Sequence, residues 1–285
     1  MTNQEFNNSI QSIYEDLKLS TFYSVYLFKC QEYLLDYQSK IDKINDRCSS
    51  IQCETDYKVV IFLTGKVFDD YDTPFKLSSA RITDPSIPLD EKIEVVKLLM
   101  KKMLQSNDLS VLTPQQSSIA KLHIERHLIS CFYIQLFFAN GDIDRMRDQI
   151  MHQQIDKLSQ TITPSSKLLK IPNQYQSSSP WPSAQRELQL MFVYKTAQEK
   201  IQCIERCCKH IITLLDVSNS NVPTADDLLP VLIFVVIKAN PMSLLSTIQY
   251  VNAFFSGDLF GESAYYWTQF CSVVEFIKTV IHQTD

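Results

Sequence analysis

The stretch LLPVLIFVVI, residues 228 to 237, is the longest unbroken apolar run in the chain and decides its fold. It is preceded by the tetrapeptide TADD, residues 224 to 227. A threonine followed three residues later by an acid is typical of a helix N-cap, so Thr224 and Asp227 are expected to cover the free N–H groups of the first turn. The run is half of the ~20 residues that a bilayer crossing needs, and it therefore predicts a buried helix over residues 224 to 239.

Asp226 is left without a capping role at the start of this helix. It stands at the second helical position, where the helix dipole tolerates a negative charge. Pro230 removes one backbone N–H and crowds the carbonyl of residue 226, which predicts a bend that leaves the Asp226 turn prominent. Acids are common in first helical turns for dipole reasons alone, so the tetrapeptide by itself is also explained without a function. A proline inside a helix costs ~3 kcal/mol, so a sequence that needed only a stable buried helix would avoid it. The presence of Pro230 therefore favours a functional role for the Asp226 turn, in which the carboxylate contacts a cation of a partner protein.

A second predicted helix, residues 261 to 281, carries one apolar and one polar face. Its predicted core stripe consists of Phe270, Val273, Val274, Ile277, Val280 and Ile281. Tyr265 falls on the other side and shares a polar face with Thr268, Gln269 and Ser272. This tyrosine either contacts a partner or simply covers neighbouring surface, since single exposed aromatics are common.

The rest of the chain is also predicted to be helical, and only four glycines supply turns that need positive φ. Residues 50 to 88 are the exception and are expected to be irregular. Within them, residues 57 to 68 have the β-branched content of a strand but no partner strand, so they are interpreted as loop or short helix. Residues 161 to 182, rich in proline and serine, are interpreted as a connector. The other predicted helices are 4 to 47, 89 to 105, 114 to 138, 142 to 160, 183 to 192, 196 to 217 and 243 to 255.

Charge and motifs exclude several classes of function. The net charge is −5 and the basic residues are spread among acids, which does not favour nucleic-acid binding. The chain lacks G-x-G-x-x-G and the P-loop motif, so it is expected to hold no nucleotide or other cofactor itself. The polar N-terminus is no secretory signal, and no lipidation or polybasic motif marks a membrane anchor. These features predict a cytoplasmic protein without direct membrane insertion.

Cysteines and histidines suggest no metal site. Cys203, Cys207 and His210 share one stripe of a predicted helix, but zinc needs a fourth ligand and helix packing explains the cysteines. His123 and His127 superficially resemble a zincin helix, yet the glutamate between them is one place too late for H-E-x-x-H. Both are interpreted as ordinary histidines on a helix surface.

Three blocks follow one another in the C-terminal half: ADDLLPVLIFVVIKANP (225 to 241), LLSTIQYVNAFF (244 to 255) and GESAYYWTQFCSVVEFIK (261 to 278). Together they resemble the vacuolar protein sorting nine domain, a family of guanine-nucleotide exchange factors for early-endosomal Rab GTPases of the Rab five group. Two upstream blocks, at 144 to 160 and 180 to 208, are similar to the exchange module of the Gapex and receptor-mediated-endocytosis-six subgroup. The resemblance is strong from about residue 183 to 278 and absent before about residue 119.

The resemblance implies a site and a mechanism. The first aspartate of the ADD block and the first tyrosine of the YYWT block, Asp226 and Tyr265, are implied to form the exchange site. Further residues implied at the GTPase contact are Pro230, Thr268 and, in the family's KxN turn, Lys238 and Asn240. Asp226 would act as an aspartate finger that promotes GDP release from an early-endosomal Rab GTPase, in endocytosis and endosomal trafficking. No covalent bond would change, and recruitment to endocytic membranes would be peripheral.

The predicted architecture is all-α: a helical bundle packed against a helical exchange domain of this family. The expected regions are 1–111, helical and of unassigned role, 112–182, a bundle with connector, and 183–285, the exchange domain. The alternative function is a helical scaffold that binds a Rab GTPase without releasing nucleotide. A covalent enzyme has no supporting pair of nucleophile and base or of carboxylates.

Overall fold

The structure, a computed structural model, describes residues 51–176, 181–217, 225–255 and 257–284. These residues form helices, turns and loops and contain no strand, which confirms the all-α prediction. The described residues from Val59 onward belong to one compact unit. The predicted helix at 4 to 47 lies outside the described residues. Within the described ranges, every helix is too short or too polar to cross a bilayer.

The helices in chain order are α1 (Ile51–Asp70), α2 (Asp72–Thr83), α3 (Leu89–Leu104), α4 (Pro114–Phe137), α5 (Asp142–Thr161), α6 (Asn173–Gln176), α7 (Pro182–Leu190), α8 (Ala197–Val217), α9 (Ala225–Ala239), α10 (Leu244–Phe255) and α11 (Gly261–Thr284). From α3 onward they follow the predicted helices closely, except that the connector contains the short α6. Helix α4 begins with a capping box in which the Thr113 side chain accepts from the Gln116 N–H and the Gln116 side chain accepts from the Thr113 N–H.

The prediction that residues 50 to 88 are irregular is wrong, because α1 and α2 occupy most of this range. Val60, Thr64 and Val67 recur at spacings of four and three, and all three are fully buried. The Thr64 hydroxyl donates to the Val60 carbonyl at 2.8 Å, so the polar group is satisfied inside the helix. Burial of one helix face therefore overrides the local strand preference of the β-branched residues.

Helices α3, α4 and α5 pack onto the C-terminal helices and share a core with them. Helix α10 contacts α3, α4, α5 and α8. At its centre, the Tyr250 ring lies edge-on to Phe137 at 5.6 Å and to Tyr133 at 6.1 Å between centroids. This packing confirms a helical bundle set against the C-terminal helices. Helices α3 and α4 lie on opposite sides of the predicted boundary at residue 111, and both contact α10. These contacts do not mark a domain limit there, so the domain limits stay a prediction.

Helix α9 lies in the middle of the C-terminal helices. It packs against α5, α7, α8 and α11, and every residue from Val231 to Ile237 is buried. A helix that is apolar all round must be surrounded by protein. The apolar run in the sequence thus became the central helix of the core, as predicted.

Candidate functional site

The start of α9 carries the two acids singled out in the sequence. Asp226 is the second residue of the helix, so its backbone lies in the first turn. Asp227 is half-buried, and α9 continues through Pro230, which is also half-buried. Thr224 lies outside the described residues, so the N-cap assigned to it stays a prediction.

The outer face of α11 carries Tyr265. Its side chain is 39% exposed, whereas the adjacent Tyr266 is 5% exposed. Thr268 and Ser272 are exposed on the same side, and the apolar positions from Phe270 to Ile281 predicted for the core are buried. The division of α11 into a buried stripe and a polar face is therefore confirmed.

Polar contacts fix the first turns of α11, and sequence reasoning missed them. Lys209 of α8 pairs with Glu262 at 2.9 Å, and the Tyr266 hydroxyl donates to Glu262 at 3.2 Å. The hydrogen bond from Lys209 lowers the pKa of the Glu262 carboxyl below its ordinary value. Ser263 donates to Glu205 on the same side of α8. The spacing of four between Glu205 and Lys209 was the available signal, since it places both on one face of α8.

The residues flanking Tyr265 on its C-terminal side are anchored in the core. The Trp267 indole N–H donates to the Asn252 Oδ1 at 2.8 Å, which ties α11 to α10. The Tyr266 ring lies 5.4 Å from the Tyr265 ring between centroids. Burial raises the pKa of the Tyr266 phenol to about 12. Contacts to α8 before Tyr265 and to α10 after it therefore fix the orientation of α11. A tyrosine on such a rigid helix suits a contact surface for a partner.

The polar heads of Lys238 and Asn240, at the end of α9, are directed towards α5. Lys238 Nζ donates to the Ser159 carbonyl at 2.6 Å, and Asn240 Nδ2 donates to the His152 carbonyl at 3.1 Å. Asn240 has φ of 41° and its N–H donates to the Val236 carbonyl at 2.9 Å, so it caps α9 in the left-handed conformation that asparagine tolerates. Both groups expected to bind a GTPase are engaged within the protein here.

The predicted site residues therefore fall into two groups. Asp226 belongs to the first turn of α9, and Tyr265 to the N-terminal part of α11, the helix that packs beside α9. Lys238 and Asn240 lie at the other end of α9. The C-terminal end of α9 is attached to α5 while its first turn carries the candidate acid.

Comparison with known proteins identifies the region around these residues. Residues 181–282 match the model of the Vacuolar sorting protein 9 (VPS9) domain family. The chain contains a VPS9 domain. Helices α7 to α11 make up the matched range, so Asp226 and Tyr265 both belong to this domain.

Curated relatives extend the similarity beyond the VPS9 domain, and the prediction that it is absent before about residue 119 is wrong, because the match to one relative covers 95% of this chain. The chain is 36% identical over 277 residues to a GTPase-activating protein and VPS9 domain-containing protein 1 of Xenopus laevis, covering 95% of this chain and 19% of the relative. It is 43% identical over 199 residues to Receptor-mediated endocytosis protein 6 of Caenorhabditis elegans, covering 67% of this chain and 18% of the relative. It is 36% identical over 162 residues to Vacuolar protein sorting-associated protein 9A of Arabidopsis thaliana, covering 55% of this chain and 31% of the relative. The chain thus spans about a fifth of the length of the first two relatives.

Asp148 of α5 caps a helix of the VPS9 domain from outside it. Its Oδ1 accepts the backbone N–H groups of Leu245 and Ser246 at 2.9 and 3.1 Å, in the first turn of α10. Burial raises the pKa of this carboxyl above its ordinary value, while the N–H donors oppose that shift. Sequence reasoning did not single out Asp148, because a cap supplied by a distant helix leaves no local motif.

The cysteines and histidines considered as metal ligands have structural surroundings. Cys203 and Cys207 are fully buried in α8, while His210 is exposed. Burial raises the pKa of the Cys203 thiol to about 12, which disfavours the thiolate that a metal binds. Throughout the described part of the chain, no group of three His, Cys, Asp or Glu side chains is arranged to hold a metal ion.

The interpretation of His123 as a surface residue is wrong. It is half-buried, and its Nδ1 lies 2.9 Å from the Thr64 hydroxyl oxygen of α1. Burial lowers the pKa of His123 to about 4, so the ring is neutral near pH 7. His127 is exposed and its ring stacks on Phe68 at 4.1 Å between centroids. Helix α1 supplies both contacts.

Proposed function

We propose that this chain is a guanine-nucleotide exchange factor for a Rab GTPase, with Asp226 and Tyr265 at its centre. The observation that supports the proposal is that α9, whose first turn contains Asp226, packs against α11, which exposes Tyr265, inside a VPS9 domain. The GTPase switch regions would bind along the N-terminal halves of α9 and α11. Pro230 and Thr268 would extend this contact.

The proposed chemistry is competition for a cation rather than a covalent reaction. The Asp226 carboxylate would reach the phosphate-binding loop of the GTPase, compete with the β-phosphate for the loop lysine and disturb Mg²⁺ coordination. Nucleotide bound with picomolar affinity is held by ~16 kcal/mol, so release requires that binding energy with the exchange factor offset part of this amount in the transition state. The start of a helix is also where the helix dipole favours a negative charge.

We further propose the Rab five group as the substrate class and the surface of endocytic or early endosomal membranes as the place of action. The word endocytosis in the name of the Caenorhabditis elegans relative supports the process. The GTPase itself would hold the nucleotide, and peripheral recruitment through partners would bring the chain to the membrane.

The second candidate is a scaffold that binds the GTPase without releasing its nucleotide. The hydrogen bonds of Lys238 and Asn240 to α5 favour this candidate to a limited extent, because they remove two expected GTPase contacts from the surface. Retention of Asp226 and Tyr265 favours exchange.

Release of a fluorescent GDP analogue from a panel of purified Rab proteins, with and without the chain, distinguishes the two. Acceleration that depends on the concentration of the chain, largest for a Rab five-type protein, is expected. Saturable binding to the GTPase without acceleration would establish the scaffold instead.

A further inference from the structure

Helix α5 exposes three large apolar side chains along one face. Ile143, Met146 and Ile150 are 72%, 63% and 51% exposed. Their spacing of three and four residues places them side by side over two helical turns. A single exposed apolar residue needs no explanation, but a contiguous row marks a contact surface.

A cleft of about 310 Å³ lies between α5, α10 and α11. It is lined by Arg147 of α5, by Leu245, Ile248 and Gln249 of α10, and by Lys278 of α11. Leu245 and Ile248 are half-buried and form an apolar floor against the core. The cleft therefore offers partly exposed apolar surface from a second helix beside α5.

Arg147 joins the row and the cleft into one surface. It follows Ile143 by four residues and precedes Ile150 by three, so it shares their face of α5. Its Nη2 donates to Gln249 Oε1 at 2.8 Å, which draws the guanidinium across to α10. The α5–α10 surface is therefore continuous; it consists of Ile143, Met146, Arg147, Ile150, Leu245 and Ile248, with Lys278 at its edge.

The cleft itself is lined by cations, each of which is paired with an acid of its own helix. Arg147 and Lys278 line the cleft, and no acidic residue does. The buried Asp144 holds Arg147 at 3.2 Å, and Glu275 pairs with Lys278 at 2.6 Å. The second pair joins side chains that are 34% and 67% exposed, so it contributes little and an incoming carboxylate can replace it. A partner surface that fits the α5–α10 surface is therefore apolar along its middle and acidic along its flank.

We propose that the α5–α10 surface is the docking site for an acidic amphipathic helix of a partner protein. The exposed row spans about 10 Å at 1.5 Å per residue, which matches two turns of a helix with apolar anchors at i, i+3 or i+4, and i+7. One anchor would enter the cleft over Leu245 and Ile248, and carboxylates would contact Arg147 and Lys278.

This docking site is separate from the proposed exchange site. Lys278 follows Tyr265 by thirteen residues of α11, which corresponds to about 20 Å along the helix axis. The partner helix would therefore bind whether or not a GTPase is present. The proposal depends on the α5–α10 surface alone and stands even if exchange activity is absent.

The test uses the full chain and a panel of fluorescein-labelled synthetic peptides that have Leu, Ile, Phe or Met at the anchor positions and Glu at the flanking positions. A second panel replaces Glu by Lys, and a third scrambles the order of residues. Binding is measured by fluorescence anisotropy at low and high salt.

The protein variants are the double variant Met146→Asp with Ile150→Asp, and the single variant Lys278→Glu. The matched control is Leu77→Asp with Val111→Asp, at apolar side chains that are 69% and 75% exposed elsewhere. Circular dichroism and thermal melting check that each variant is folded.

We expect at least one acidic peptide to bind saturably, with affinity that falls at high salt. The double variant on α5 should weaken this binding tenfold or more and Lys278→Glu should weaken it several-fold, while the control pair matches the wild type. Three results of this assay would overturn the proposal: no acidic peptide binds, the Lys-containing or scrambled panels bind equally well, or the control pair loses as much binding as the α5 variant.

Two other occupants of the surface are also tested. Binding to phosphatidylserine-rich vesicles instead of peptides would assign the surface to a membrane. Self-association removed by Met146→Asp would assign it to a second copy of this chain. Either result would also overturn the proposal.

Discussion

Lys238 Nζ donates a 2.6 Å hydrogen bond to the Ser159 carbonyl, and this contact attaches the end of α9 to α5. Asn240 Nδ2 adds a second bond, to the His152 carbonyl at 3.1 Å. Together they hold the helix that carries Asp226 at its other end. Residues that the family resemblance places at the GTPase contact therefore have a structural role within the chain, and this role is open to test.

Lys238→Met should destabilise the protein by about 1 to 2 kcal/mol, because it removes a charged donor from a half-buried carbonyl and keeps the side-chain volume. The free energy of unfolding is measured by urea denaturation. Lys76→Met serves as the control, since Lys76 is 73% exposed and pairs with Asp72 on its own helix. Unchanged stability of Lys238→Met with impaired GTPase binding would show that Lys238 is a GTPase contact rather than a tie to α5.

Asp148→Ala should cost about 1 to 3 kcal/mol of stability, because two N–H groups at the start of α10 lose their acceptor. Asp148→Asn keeps an acceptor oxygen and should be milder. Both are measured by chemical denaturation beside Asp156→Ala, an exposed acid of the same helix. Equal stability of Asp148→Ala and Asp156→Ala would show that the cap contributes nothing.

Lys200 should make the stability of the protein depend on pH. Its side chain is fully buried, Nζ donates to the Met191 carbonyl at 3.0 Å, and the ammonium lies 4.7 Å from the centre of the Phe137 ring. Burial lowers its pKa from 10.5 to about 7. Between these two values the unfolded chain binds one proton more than the folded chain, so the free energy of unfolding rises with pH.

Lys200→Met should remove this dependence, because methionine fills similar space without a charge. In urea denaturation between pH 7 and 9, the free energy of unfolding of the wild type should rise relative to that of the variant by up to about 1.4 kcal/mol per pH unit. Lys121→Met, at an exposed position of α4, should retain the wild-type slope. Parallel slopes for wild type and Lys200→Met would mean that Lys200 does not titrate in this window.

The sequence predicted the helical core well where apolar periodicity is strong. The run from Leu228 to Ile237 became the buried central helix, and α11 divides into a buried stripe and an exposed face as expected. Helix α1 was not predicted in full, because Val60, Thr64 and Val67 have strand preference locally, whereas in the structure all three are buried along one face of a helix.

Contacts between distant helices could not be predicted in the same way. Asp148 lies about a hundred residues before the N–H groups that it caps, and neither end carries a local motif. The resemblance assigned Lys238 to GTPase contact from its place in a short pattern, and only the fold shows the Ser159 carbonyl next to it. The pairing of Asp226 with Tyr265 came from the resemblance, because periodicity shows which face a residue occupies and not which partner it meets.

Tyr265→Ala should slow GDP release about 30-fold if the ring is an interface hot spot worth ~2 kcal/mol. Stability should change by less than about 1 kcal/mol, because the side chain is 39% exposed. Thr268→Ala should be milder. Ser272→Ala, further along the same face, is the control and should release GDP at the wild-type rate. A loss of activity in Tyr265→Ala matched by a comparable loss of stability would indicate a structural role instead.

The most direct test of the central claim is the rate of GDP release from a Rab five-type GTPase under pseudo-first-order conditions, with Asp226→Ala compared with wild type and Asp227→Ala. A charge preorganised for a transition state is typically worth ~3 to 4 kcal/mol, so Asp226→Ala should lower the rate more than a hundredfold. Its melting temperature should stay unchanged, because Asp226 has no expected capping role. Asp227→Ala should lose only about 1 kcal/mol of stability and keep its activity. Near-wild-type GDP release by folded Asp226→Ala, or equal inactivity of folded Asp227→Ala, would contradict the account.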